Sequence, residues 1–293
     1  MSDRSALGRA IAGALGAAVE GLHGVSGGDI NDAFEARLAD GRSVFVKASS
    51  RAHRSTSAMF DAEARGLAWL GEAGALRVPR VLAVSRASEE PAFLALERID
   101  PAPKARDFDD QLGRGLAALH RFGAPSFGLD YDNFIATLPQ PNTPCATWAE
   151  LYWSRRLEPL LRRASDARLV SAAMRRGFAD LEPRLEILCG PPEPPARVHG
   201  DLWGGNLLAD DRGAPCLIDP SVYGGHREVD LAMMRLFGGF GARAFDAYDE
   251  AFPLADGHED RVPLYQLYPL LVHVNLFGSM YVGSVERALG DLL

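Results

Sequence analysis

The eight residues His199–Asn206, HGDLWGGN, hold a carboxylate and a side-chain amide five positions apart with an indole between them. The loop follows a Pro-rich stretch, CGPPEPPAR, which cannot continue a helix and leads into a short strand at Arg197 and Val198. It precedes NLLADDRGAPCLIDP, which reads as a hairpin turning around Asp211 to Gly213. That hairpin delivers a second carboxylate, Asp219, eighteen residues after Asp201.

Phosphoryl transfer is catalysed mainly by positioning and charge neutralisation. It needs a lysine on the phosphates, oxygen ligands for a metal, and a carboxylate for the acceptor hydroxyl's proton. The protein-kinase loop H-R-D-x-x-x-x-N separates base from metal-binding asparagine by five positions. His199-Gly200-Asp201 and Asn206 repeat that spacing with glycine in place of arginine. Asp201 is therefore expected as the base, with Asn206 and Asp219 as oxygen ligands for Mg²⁺, which favours hard oxygens and keeps several waters.

Upstream, FVK ends a strand at Lys47, on the face opposite Val44 and Val46, and Glu63 on the next helix is expected to pair with it. Gly24, Gly27 and Gly28 are expected in a strand-to-strand loop whose backbone N–H groups approach phosphate, although their spacing is not G-x-G-x-x-G. Taken singly, each residue has an ordinary structural role as turn former, solvated lysine or turn glycine. Their order and joint spacing carry the reading. His199 and His120 are read as hydrogen-bonded struts, and Asp230 as an anchor for the following helix or for the loop backbone.

Working outward, GLHGVSGGDINDAFEARLADGRSVFVKAS reads as three strands, the last two joined by an Asp40-Gly41 turn. SAMFDAEARGLAWL, residues 57–70, brings Phe60, Ala64 and Leu67 onto one helical face with Glu63 beside them. VPRVLAVS and PAFLALERI add two strands, giving a five-stranded sheet with one inserted helix over residues 1–99. After the Pro-bearing junction DPAPKARD (100–107), helical periodicity dominates residues 100–293, with segments at 147–165 and 167–188. The expected class is α+β: a bilobal protein-kinase-like fold with a small N-terminal antiparallel sheet lobe that binds nucleotide. The larger, mainly helical C-terminal lobe carries the catalytic and metal-binding loops.

The net charge of -8 over 293 residues, with no sustained basic run, argues against nucleic acid and anionic membrane as partners. No apolar run approaches the roughly 20 residues that span a bilayer. The Ala-rich N-terminus is interrupted by Asp3 and Arg9, and Leu7, Ile11, Leu15 and Ala18 fit an amphipathic first helix better than a signal peptide. Three scattered cysteines with no CxxC pair point to reduced, buried thiols and a cytoplasmic location.

HGDLWGGN, LIDP and YGGHREVDLAMMRLFGGF together resemble the fructosamine kinase (ketosamine-3-kinase) family, of the aminoglycoside-phosphotransferase-like branch of the kinase fold. The likeness extends to GGDIND, FVKAS, MFDAEARGL and LYQLYPLLVHVNLFGSMY. It implies ATP-dependent phosphorylation of the sugar 3-hydroxyl of ketosamines, small or protein-bound, followed by loss of the unstable 3-phosphate in deglycation repair.

In that frame Asp201 is similar to the family's base, Asn206 and Asp219 to its Mg²⁺ ligands, and Lys47 with Glu63 to its phosphate clamp. Gly27, Gly28, Asp29, Ile30 and Asn31 fall in the nucleotide loop, where Asp29 replaces a cysteine of some relatives. Trp203 is similar to a sugar-stacking indole, and a flat apolar face beside a proton acceptor suits a sugar. A core aromatic supporting the loop is the other reading of Trp203. Glu97, Arg98 and Ile99 are expected to offer backbone groups to adenine.

Aminoglycoside, choline and homoserine kinases share HGD and a later aspartate, so the Trp203 loop and GHRE are what discriminate. A nucleotide-binding pseudokinase module is disfavoured by the presence of Lys47, Asp201, Asn206 and Asp219. A Ser/His/Asp hydrolase fails because no serine sits in a G-x-S-x-G elbow. The acceptor's sugar and amine, and monomer against homodimer, are left open.

Overall fold

The structure is a computed structural model and describes residues 2–25, 32–49, 54–86 and 91–293. In chain order the first elements are helix α1 (Ser2–Leu15), strands β1 (Val19–Val25), β2 (Asp32–Leu38) and β3 (Ser43–Ser49), helix α2 (Arg54–Gly71), and strands β4 (Val81–Val84) and β5 (Ala92–Glu97). There follow α3 (Phe108–Phe122), β6 (Asn133–Ile135), β7 (Leu138–Gln140), α4 (Trp148–Leu151), a π-helical turn (Tyr152–Leu157), α5 (Glu158–Asp166), α6 (Ala172–Leu181) and α7 (Leu185–Leu188). The chain finishes with β8 (Ala196–Val198), β9 (Leu207–Ala209), β10 (Pro215–Leu217), β11 (Tyr223–Gly225), α8 (Glu228–Phe237), α9 (Ala242–Ala251), α10 (Val262–Phe277) and α11 (Val282–Leu292).

These elements form two compact units, Met1–Phe108 with Leu207–Pro220, and Asp109–Asn206 with Ser221–Leu293. In the first unit the sheet is antiparallel, in the order β1-β2-β3-β5-β4. The Asp40-Gly41 turn closes with Leu38 N–H donating to the Arg42 carbonyl, 2.8 Å, and Gly41 at φ 86°. Strand alternation sorts the side chains. Val44, Val46 and Ala48 pack with Leu7 and Ile11 of α1, while Phe60, Ala64 and Leu67 of α2 pack with Leu94 and Leu96. Lys47, out of phase with its valine neighbours, therefore stands on the α2 side.

Two local expectations are corrected. Gly24 lies in β1, paired with Phe34, and not in a loop. Helix α1 stops at Leu15, where Gly16 takes φ 70°, so Ala18 lies beyond its end.

The first unit also differs from an N-terminal lobe ending at residue 99. It runs on to Phe108 and takes in the β9–β10 hairpin, whose strands pair Pro215 with Ala209 and Leu217 with Leu207. The reason is polar pairing far along the chain. Leu217 N–H donates to the Arg77 carbonyl at 2.9 Å and Ala105 N–H to the Gly213 carbonyl at 3.0 Å. The Arg77 guanidinium bonds Asp210 at 2.7 Å, Asp211 at 2.5 Å and Glu97 at 2.8 Å. Asp210 also accepts the Arg212 and Ala214 N–H groups, each at 2.9 Å, which shapes the turn.

Arg77→Ala leaves the buried Asp210 carboxylate without its cation. It is expected to lower the unfolding free energy by about 1–3 kcal/mol, read as an earlier denaturant midpoint at unchanged slope.

In the second unit, the helical segments expected at 147–165 and 167–188 are both interrupted. A π-helical turn divides the first, and Arg168 at φ 58° breaks the second before Ser171 caps α6 by accepting the Met174 N–H. Strands β8 and β11 pair antiparallel on either side of the HGDLWGGN loop, with Val198 opposite Tyr223. Among the described residues no helix is long and apolar enough to cross a membrane. The three cysteines are free thiols, Cys189 and Cys216 buried and Cys145 half-buried.

Candidate active site

Strand β8 ends at Val198 and hands the chain to His199, whose side chain is fully buried. His199 Nδ1 accepts the Asp201 N–H at 3.2 Å, so the ring braces the loop. Gly200 sits at φ 83°, and a Cβ there would run into the Ser221 carbonyl. Two independent constraints thus explain why glycine stands where the kinase template has arginine.

A 3₁₀ turn at Gly204–Asn206 then folds the asparagine back. Its Nδ2 donates to the Asp201 carbonyl at 2.8 Å and to Asp201 Oδ2 at 3.2 Å. The five-position spacing therefore juxtaposes the two side chains directly. Trp203, between them, is 38% exposed, so it is not a core aromatic. Its ring lies where a Cβ on Gly205 would have to go, which accounts for the glycine after it.

Asp230, in the first turn of α8, holds the loop from beneath. Its Oδ2 accepts the His199 N–H at 2.7 Å and its Oδ1 the Gly200 N–H at 2.9 Å, while His120 Nε2 lies 3.1 Å from Oδ2. His120 Nδ1 in turn lies 2.8 Å from the Tyr248 hydroxyl. Burial alone would push the Asp230 carboxyl up, but these partners more than offset it and hold it below the usual carboxylate range. Of the two roles expected for Asp230, anchoring the loop backbone is the one observed.

Asp201 also lines a concavity with Tyr223, Met233, Tyr268 and His273. These wall residues were not singled out from sequence. They come from β11, α8 and α10, and apolar periodicity on a helix does not distinguish a pocket wall from core.

Within the first unit, Lys47 Nζ bonds Glu63 Oε1 at 2.8 Å and Asp219 Oδ1 at 2.5 Å. Asp219, a non-glycine residue at φ 54°, lies two residues past the end of β10, so the hairpin's attachment through Arg77 also places this carboxylate. Burial pushes the Glu63 carboxyl up, Lys47 pulls it back, and Asp219 pushes it up again.

At the expected adenine edge, the Glu97 side chain is taken by Arg77 and Arg80, and its N–H donates to the Arg80 carbonyl at 2.8 Å. Arg98 pairs with Glu35 at 3.4 Å and Asp100 at 2.8 Å, and Ile99 is half-buried. Gly27, Gly28, Asp29, Ile30 and Asn31 lie outside the described residues.

An amide oxygen at Asn206, in the second unit, and a carboxylate at Asp219, in the first, are each of the hard-oxygen type that Mg²⁺ takes. Among the described residues no group of three or more His, Cys, Asp or Glu side chains could hold a metal. Few protein ligands, completed by water and phosphate oxygens, is the pattern Mg²⁺ accepts.

A family model described as fructosamine kinase matches residues 5–293. A protein of Lactiplantibacillus plantarum named "Probable ketoamine kinase" is 37% identical over 92% of this chain and 94% of its own. A chloroplastic protein-ribulosamine 3-kinase of Arabidopsis thaliana is 36% identical over 92% of this chain and 81% of its own. The crystal structure of a provisionally named fructosamine-3-kinase from Thermobifida fusca superposes with a TM-score of 0.89 at 40% identity, covering 98% of both chains. The choline kinase LicA of Streptococcus pneumoniae shares the fold alone, with a TM-score of 0.65 at 16% identity over 100% of this chain and 99% of its own.

Proposed function

The chain belongs to the fructosamine kinase family of phosphotransferases, and on that premise we propose that it transfers the γ-phosphoryl group of ATP to the sugar 3-hydroxyl of a ketosamine. The phosphorylated adduct then loses its unstable 3-phosphate, so the activity serves deglycation. The observation that carries the reading is the Asp201–Asn206 contact on a loop pinned by a buried carboxylate.

Asp201 takes the proton of the attacking hydroxyl, with its orientation held by the Asn206 amide. Lys47, fixed by Glu63, orients the nucleotide phosphates. Asn206 and Asp219 are the residues that would hold Mg²⁺, which would supply neutralisation of phosphate charge. Trp203 offers its exposed face to the C–H face of the sugar. Glu97, Arg98 and Ile99 contribute backbone groups to adenine, the charged side chains of Glu97 and Arg98 being committed to ion pairs.

The test is to follow ADP release with Mg-ATP and a panel of ribulosyl-, erythrulosyl- and fructosyl-lysine. Turnover of at least one, with a 3-phosphate product, is expected. Silence on all three alongside turnover of an aminoglycoside or choline would overturn the acceptor assignment.

A further inference from the structure

Four polar side chains of the second unit, Asn133, Gln140, Asn142 and Arg156, are buried together, and the reaction outlined above uses none of them. Among the described residues no carboxylate pairs with the Arg156 guanidinium. Its Nη1 donates to the Pro141 and Arg155 carbonyls at 2.6 and 3.3 Å, and its Nη2 to Asn142 Oδ1 at 2.6 Å. Its central carbon lies 3.9 Å from the centre of the Tyr223 ring and 5.6 Å from that of Tyr268. Packing alone does not call for such a set, because a buried cation is costly and apolar residues of similar volume fill a core as well.

The hydrogen bonds among the four run in one sense. Asn142 Nδ2 donates to Asn133 Oδ1 at 2.8 Å and Gln140 Nε2 to the same oxygen at 2.7 Å, while Asn133 Nδ2 donates to the Val222 carbonyl at 2.8 Å. Gln140 Nε2 also donates to the Ser221 carbonyl at 3.1 Å, and Gln140 Oε1 accepts the Tyr268 hydroxyl at 2.5 Å. Arg156 can only donate, so turning over the Asn142 amide would set donor against donor, and the others follow from it. A buried network satisfied in one arrangement fixes the groups that it touches.

Those groups surround Asp201. Tyr223 and Tyr268 line the concavity with Asp201, whereas Arg156 and Gln140 do not. The Ser221 carbonyl bonded by Gln140 is the one against which Gly200 packs, and the Ser221 N–H donates to the His199 carbonyl at 2.9 Å. The network therefore reaches both the wall of the concavity and the loop that bears Asp201, without facing the concavity itself.

We propose that Arg156 and Gln140 are positioning residues for acceptor binding, which hold the Tyr223 and Tyr268 rings and the Ser221–Val222 backbone in the one arrangement that fits the acceptor. This rests on the ketosamine reading above, and the experiment separates the two.

Steady-state rates with Mg-ATP and the best acceptor of the panel above give kcat and a KM for each substrate. They are measured for the wild type, Gln140→Met, Tyr268→Phe, the double variant, Arg156→Met and Arg156→Lys. Gln140→Met and Tyr268→Phe are each expected to raise the acceptor KM about tenfold, the factor that one lost hydrogen bond provides, with kcat and the ATP KM within about twofold. The double variant should be no worse than Gln140→Met alone, because both substitutions remove the same contact. Arg156→Met should raise the acceptor KM at least as far, and Arg156→Lys, which keeps a cation, should recover most of it. Should Arg156→Met not fold, the cycle between Gln140 and Tyr268 decides.

Additive rises in the acceptor KM would mean that the Tyr268 hydroxyl contacts the acceptor directly, and overturn the positioning role. So does a fall in kcat with both KM values unchanged, which is what loss of folded enzyme alone produces. No turnover by the wild type on any member of the panel overturns the ketosamine reading itself, and the positioning proposal with it.

Discussion

Asp201→Asn is expected to bind ATP with near wild-type affinity and to turn over ketosamine some 10²–10⁴-fold more slowly, the range in which a positioned general base contributes. The substitution is nearly isosteric, and the loop does not depend on the charge it removes. The Asp201 N–H still donates to His199, and the Asp201 carbonyl still accepts from Asn206. What disappears is the oxygen able to take a proton. Calorimetric titration of nucleotide and a coupled ADP assay separate the two quantities. Turnover within a few-fold of wild type would remove Asp201 from the chemistry, and with it the reading of HGDLWGGN.

Asp230→Ala is expected to cost both stability and rate. The side chain is buried and satisfies two successive backbone N–H groups and an imidazole. Alanine strands all three in the interior, for a loss of about 2–5 kcal/mol. Because those N–H groups belong to the loop bearing Asp201, kcat should fall in whatever fraction remains folded.

The pH dependence has a definite sign. The folded-state pKa of Asp230 is depressed, so its stabilising contribution is complete above the ordinary carboxylate range and is lost as pH falls through the folded value. The gap in unfolding free energy between wild type and Asp230→Ala should therefore be flat near neutrality and narrow below about pH 4. A gap that widens on acidification would show that Asp230 is not held as an anion.

The local patterns were legible in the chain itself. Alternation over SVFVKAS placed Lys47 opposite Val44 and Val46, and the periodicity of SAMFDAEARGLAWL turned Glu63 toward the sheet. The structure joins the two at 2.8 Å. The strands on either side of Asp40-Gly41 pair as their turn residues require. The spacing from Asp201 to Asn206 is likewise a short-range property, because five residues and one tight turn leave few ways to bring the side chains together.

Residues distant in sequence behaved otherwise. Nothing near Arg77 indicates that it would bind Asp210 and Asp211, more than 130 positions on, and so attach the Asp219 hairpin to the sheet unit. Nor does HGD itself reveal that Gly200 is required by the Ser221 carbonyl, or that Asp230 would bond the loop rather than only begin a helix. His273 reads as one more helical residue until α10 lays it against the Asp201 pocket.

The sequence by itself determined the family, the strand and helix alternation, and the candidate base with its neighbouring asparagine, because periodicity and loop spacing act through covalent neighbours. Only the tertiary structure decided which unit owns the Asp219 hairpin, what supports the HGDLWGGN loop and what walls the concavity beside Asp201. Those outcomes depend on hydrogen bonds and packing between residues from 20 to more than 130 positions apart, which form only once the chain has folded.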